Sequence, residues 1–107
     1  MDIKFLKEMI NDEMENAKEY AAEAVKEKVS HPKWAKMLMD MSERTQKHVE
    51  TLHEMLKECH DEELKNPGMQ SSYSSQSDYD SDYKELIDDY ADKVSKMKSM
   101  RDMYYRR

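Results

Sequence analysis

Four residues on two periodic segments carry side chains that could act together chemically: Glu13, Tyr20, Thr45 and His48. Each falls on a stripe of otherwise apolar positions spaced three and four apart. In the first segment the stripe reads Ile3, Leu6, Ile10, Glu13, Ala17, Tyr20 and Ala24. In the second it reads Trp34, Leu38, Met41, Thr45, His48, Leu52, Met55 and Cys59. A carboxylate on a buried stripe is costly unless it is paired, protonated or bound to a metal. Tyr20 shares the face of Glu13 and offers a hydroxyl to it. His48 lies as far after the Ser30-His31-Pro32 break as Glu13 lies before it. Antiparallel rods joined at that break bring the two to the same height. One reading is then a buried hydrogen-bonded Glu–His pair that fixes register. The other is a metal site in which a second copy of the chain doubles the ligands to two Glu13 and two His48.

Three elements must position these groups. The spacing predicts helices over about residues 2–29, 31–65 and 82–107, because the apolar recurrence follows the helical period. Asp2 is placed to cap the first, and Pro32 fits the opening turn of the second but not a continuing helix. Asn66-Pro67-Gly68 and the Ser-rich run after it read as a linker over 66–81. The fold class is therefore all-α: an antiparallel hairpin over 1–65, a Ser/Asp-rich linker over 66–81 and a C-terminal helix over 82–107. A lone hairpin buries one seam only, which predicts that two chains pair their hairpins into a four-helix bundle, with the third helix packed outside or across. Leu86, Tyr90, Val94, Met97, Met100, Met103 and Tyr104 supply the apolar face of that third helix.

Glu13-x6-Tyr20 on one helix, followed on the next by His48 and a Leu four residues later, resembles the rubrerythrin branch of the ferritin-like superfamily. The wider texture, FLKEMINDEMENAKEYA and then AKMLMDMSERTQKHVETLHEML, is similar to small ferritin-like proteins of phages and prophages. The resemblance covers about residues 4–58. It implies a helical-bundle fold and a di-iron centre, with Glu13 and His48 as metal ligands and Tyr20 beside them. It also implies a phage-associated accessory protein in the host cytoplasm. Thr45 departs from the pattern: it stands where the family has a bridging Glu, and a neutral hydroxyl cannot balance the charge of two divalent irons. The ligand set therefore reads as vestigial or altered, open to iron or another divalent metal, and a di-iron oxidoreductase is the second reading.

Composition narrows the rest. Net charge is −6 with 24 acids against 18 bases, so a counterion-releasing nucleic-acid face is not expected. No apolar run reaches the roughly 18 residues of a membrane span. One cysteine, Cys59, excludes an intrachain disulfide and suits a reducing compartment. With one Gly and no Ser/His/Asp or Cys/His arrangement, neither a phosphate-cradling loop nor a nucleophilic centre is written here, and no catalytic residue is assigned. His53 and His60 fall off the stripe and read as surface residues, and Met37 and Met39 read as a pliable contact surface. Asp78, Asp80, Asp82, Asp88 and Asp89 form an acidic strip. A third reading makes that strip a nucleic-acid mimic engaging a basic host protein, in the manner of anti-CRISPR inhibitors. The leading expectation is a small acidic protein that binds and self-associates as a homodimer.

Overall fold

The computed structural model describes residues 2–68 and 73–106. Three helices, α1 (Ile3–Glu27), α2 (Pro32–Lys65) and α3 (Gln76–Tyr105), account for 88% of them, and no strand occurs among the described residues. The all-α class and the helix pairing stand.

Local chemistry sets the ends. The Asp2 carboxylate accepts from the Lys4 N–H at 2.9 Å and closes the first turn of α1. Pro32 opens α2 at a position where its missing N–H costs nothing. Ser75 caps α3 by accepting from the Asp78 N–H at 3.1 Å. Gly68, at φ 95°, takes the left-handed conformation that the turn after α2 requires, and its N–H reaches the buried Glu63 carboxylate at 2.8 Å.

The helices run up, down and up. α1 and α2 are antiparallel, and the Ser42 hydroxyl of α2 donates to the Ala17 carbonyl of α1 at 2.6 Å. α3 returns parallel to α1: Lys7 meets Asp82 near one end and Lys28 meets the Arg106 carbonyl near the other. The result is a rod of 53 × 19 × 17 Å. The third helix, expected outside or across the hairpins, lies along one groove of its own hairpin, so a three-helix core closes within one chain.

α1 contributes Ile3, Leu6, Ile10, Met14, Ala17, Ala21 and Ala24 to that core. α2 adds Ala35, Met39, Val49, Leu52 and Leu56, with Ser42 and Thr45 among them. Near the hairpin turn the facing residues are mostly Ala and Ser, with Met39 the one large side chain among them. Bulkier Ile, Leu and Met predominate toward the other end.

One boundary and several stripe positions differ from expectation. α3 begins at Gln76, within the stretch expected as linker, so Asp78 and Asp80 are helical rather than parts of a connector, and Asp82 lies further inside the helix than expected. The reason is Tyr79, one heptad before Leu86 and only 1% exposed, which anchors an extra turn and a half on the hairpin. In α1 the core takes Met14 and Ala21 instead of Glu13 and Tyr20. In α2 it takes Ala35, Met39, Ser42 and Val49 instead of Trp34, Met41 and His48. Met39 is therefore core and Met37 is surface.

Candidate functional site

The flank of the hairpin opposite α3 holds most of the residues singled out by sequence. α3 covers the side of α1 that carries Lys7, Asn11, Met14 and Lys18. It covers the side of α2 that carries Glu43, Gln46, His53 and His60. Helical spacing puts Met9, Glu13 and Tyr20 of α1 on the other side, with Trp34, Leu38, Met41, His48 and Met55 of α2. Met9, Leu38 and Met55 are half-buried against the core, whereas Trp34 is 56% and Met41 41% exposed.

Glu13 and His48 do meet across the hairpin, the imidazole Nδ1 lying 4.0 Å from a carboxylate oxygen. The pair sits on the surface, however, and not in the seam: the His48 side chain is 70% exposed and that of Glu13 37%. The desolvation that would force a buried carboxylate onto a metal is therefore absent. Tyr20 is half-buried on the same flank and Thr45 is buried behind it. Among the described residues no group of three or more His, Cys, Asp or Glu side chains converges as a metal would require.

The acidic strip is largely occupied by the protein itself. Asp82 takes Lys7 at 2.7 Å and also accepts from the Tyr73 hydroxyl. Burial works to raise the Asp82 pKa, but the hydrogen bonds from Lys7 and Tyr73 outweigh it and hold it below the usual carboxylate value. Burial and the same bond push the Tyr73 phenol up. Asp89 pairs with Lys93 at 2.9 Å, Asp78 accepts from Ser74 at 2.6 Å and Asp80 from Gln76 at 3.0 Å. Asp88 is exposed.

The α2–α3 seam holds a cluster that the stripe reading missed. His60 accepts or donates at 2.9 Å to the Tyr79 hydroxyl and stacks on Tyr83 at 3.8 Å between centroids. One heptad earlier on α2, His53 stacks on Tyr90 at 4.2 Å, one heptad later on α3. The matching sevenfold spacing of 53/60 and 83/90 is the signal that would have found it. Both histidines are half-buried rather than surface groups. His53 Nδ1 is shielded from solvent with no hydrogen-bond partner. Burial, with help from Lys57 and against Glu54, lowers its pKa from 6.5. The unfolded imidazole therefore protonates before the folded one. This part of the stability is complete above pH 6.5 and falls as the pH drops below it. Thermal melts at pH 7.5 and 5.5 are expected to show this loss as a lower midpoint at acid pH. A His53→Gln variant is expected to lose less over the same interval.

A small groove of about 100 Å³ is lined by Met14 and Lys18 on one side and Asp89, Lys93 and Met97 on the other. Its rim is made of charged pairs, and no imidazole or thiol lines it. No helix of the described residues is long and apolar enough to cross a membrane. The fold and flank thus define an up-down-up three-helix bundle with one hairpin face left uncovered. Compared with known proteins, the chain matches no family model, no curated protein and no solved structure.

Proposed function

We propose that this protein works by contact and not by catalysis, as a small acidic helical module that self-associates through the open flank of its hairpin. The observation that carries this is the apolar surface near the turn. Trp34, Met37 and Met41 are 56%, 57% and 41% exposed on a helix whose other large apolar groups are mostly covered. Large apolar side chains gathered on one face mark interaction sites in soluble proteins. On this reading the chain is a ferritin-like accessory protein of the phage-associated kind its sequence resembles, with Glu13 and His48 as an altered remnant of a ligand pair. Two observations favour it over the other readings. A di-iron oxidoreductase needs a ligand set that the described residues of one chain do not bring together, and the acidic strip spends Asp82 and Asp89 on its own lysines.

Light scattering at micromolar concentration tests it. The expected mass is about twice 12.8 kDa. Met41→Glu and Trp34→Glu are expected to yield monomers with unchanged helicity by circular dichroism. A wild-type monomer at these concentrations overturns the proposal.

A further inference from the structure

We propose that the turn end of the rod is a docking tip for an anionic lipid surface, on which the protein stands upright with its acidic end held away. The contact uses the end of the bundle and not its flank, so it holds whether or not the chain self-associates.

Charge is divided along the rod. Residues 25–36 and 103–106, which make the turn end, carry five bases, Lys26, Lys28, Lys33, Lys36 and Arg106, against one acid, Glu27. That acid is already engaged by His31 at 2.5 Å. Glu23 and Asp40, about one turn further in, pair with Lys26 at 3.2 Å and with Lys36 at 3.1 Å. Lys28, Lys33 and Arg106 have no carboxylate partner among the described residues. Lys28 instead donates to the Arg106 carbonyl, which ties the end of α3 to the turn. At the far end, residues 57–65 and 76–85 carry eight acids against three bases.

The same turn end is apolar where it is not basic. Val29 is 91% exposed at the turn itself, and Trp34, Met37, Met103 and Tyr105 are each more than half exposed within two turns of a helix end. Trp34 and Met37 stand where the flank meets the tip, and the Trp34 ring is braced by stacking on His31 at 4.0 Å. The helical rise keeps all five within about 10 Å of the end of the rod. That is the depth to which apolar side chains sink into the boundary between headgroups and acyl chains.

Size and chemistry decide the partner. The end face measures 19 by 17 Å, roughly 320 Å², less than half of the roughly 800 Å² per partner of a stable protein contact. A nucleic-acid backbone would take the lysines but leave Val29, Met37 and Met103 in water. An anionic bilayer takes both. Each base near its surface strengthens binding about fivefold, and Trp and Tyr favour the headgroup level. No helix of the described residues can cross the bilayer, so the contact is peripheral. A rod lying on its side would press Asp78, Asp80 and Asp88 against like charge. Standing on its tip, it holds them beyond the roughly 8 Å over which charge acts in physiological salt.

Co-sedimentation of the full chain with vesicles of phosphatidylcholine and phosphatidylserine in equal amounts tests this, beside vesicles of phosphatidylcholine alone. The wild type is expected to pellet with the first and not the second, and to be released as salt rises. Trp34, the one tryptophan, is expected to be quenched by lipids brominated on the acyl chain. Val29→Asp, and Lys28→Ala combined with Lys33→Ala, are expected to keep wild-type circular dichroism and bind anionic vesicles at least about tenfold more weakly. Glu62→Gln, at the opposite end, is expected to bind as the wild type does. A chain that stays in the supernatant with both vesicles overturns the proposal, as does equal binding to phosphatidylcholine alone. Binding that leaves Trp34 unquenched, or that survives both tip variants, overturns it too, and so does release of the chain from anionic vesicles by short duplex DNA.

Discussion

Replacing Tyr79 with Ala is expected to lower the unfolding free energy by about 3–5 kcal/mol, the usual cost of deleting a buried aromatic side chain. The ring is 1% exposed, meets Tyr73 edge-on at 5.4 Å between centroids, and ends in a hydroxyl 2.9 Å from His60 Nδ1. Burial, with Glu63 nearby, pushes that phenol up to about 12, so it stays a neutral hydrogen-bonding group throughout the working range. α3 has few such anchors: only Tyr79, Leu86 and Met97 are fully buried along its 30 residues. Losing one therefore removes a large share of what holds α3 in its groove, against a total stability of about 5–15 kcal/mol for a domain. Tyr79→Phe keeps the ring and is expected to cost only about 1 kcal/mol. Urea titration followed by circular dichroism measures both. A Tyr79→Ala variant within about 0.5 kcal/mol of wild type, the range of an ordinary surface substitution, would show that α3 does not dock as described.

Much of the architecture was legible because capping and helical periodicity are local. Asp2, Pro32 and the Asn66-Pro67-Gly68 break mark the limits of α1 and α2 by their own chemistry, and the structure keeps them to within a residue or two. The start of α3 was harder. Gln76 to Ser81 is polar at every position but Tyr79, and a single aromatic does not make a visible period. What turns that stretch into helix is the groove that Tyr79 fills, which belongs to tertiary structure.

The stripe on α2 was misread for a different reason. Two heptad series run side by side there, Trp34, Met41, His48 and Met55, and one residue on, Ala35, Ser42, Val49 and Leu56. The first is bulkier at its start, and hydrophobicity alone prefers it. The second is the core: where α1 presents Ala17, Ala21 and Ala24, α2 sets the small Ala35 and Ser42 against it and fills the remaining space with Met39. That complementarity of size between two helices is invisible when each is read alone. The same slip moved Glu13 into the seam. Its pairing with His48 survived because height along a hairpin depends on distance from the turn, which the chain states directly, whereas burial depends on rotation about the helix axis. His53 and His60 were lost the same way: they lie on the flank that only α3 covers.

A pair of substitutions one residue apart separates the two stripes by experiment. Ala21→Leu is expected to destabilise by about 3 kcal/mol, at the upper end of what overpacking costs, because Ala21 is fully buried in the core that α1 shares with α2. Ser42 tightens that region further by holding its hydroxyl 2.6 Å from the Ala17 carbonyl, so α2 cannot slide away without breaking a buried hydrogen bond. Tyr20→Leu, on the half-buried flank, removes a ring edge with room to relax and is expected to cost less than about 1.5 kcal/mol. Had the stripe through Glu13 and Tyr20 been the core, the order of the two effects would be reversed, since Tyr20 would fill the seam and Ala21 would face water. Denaturant midpoints for the two variants decide between these packings. The outcome also bears on association, because a helix rotated to bury Tyr20 would withdraw Glu13 from the surface on which a second copy is proposed to sit.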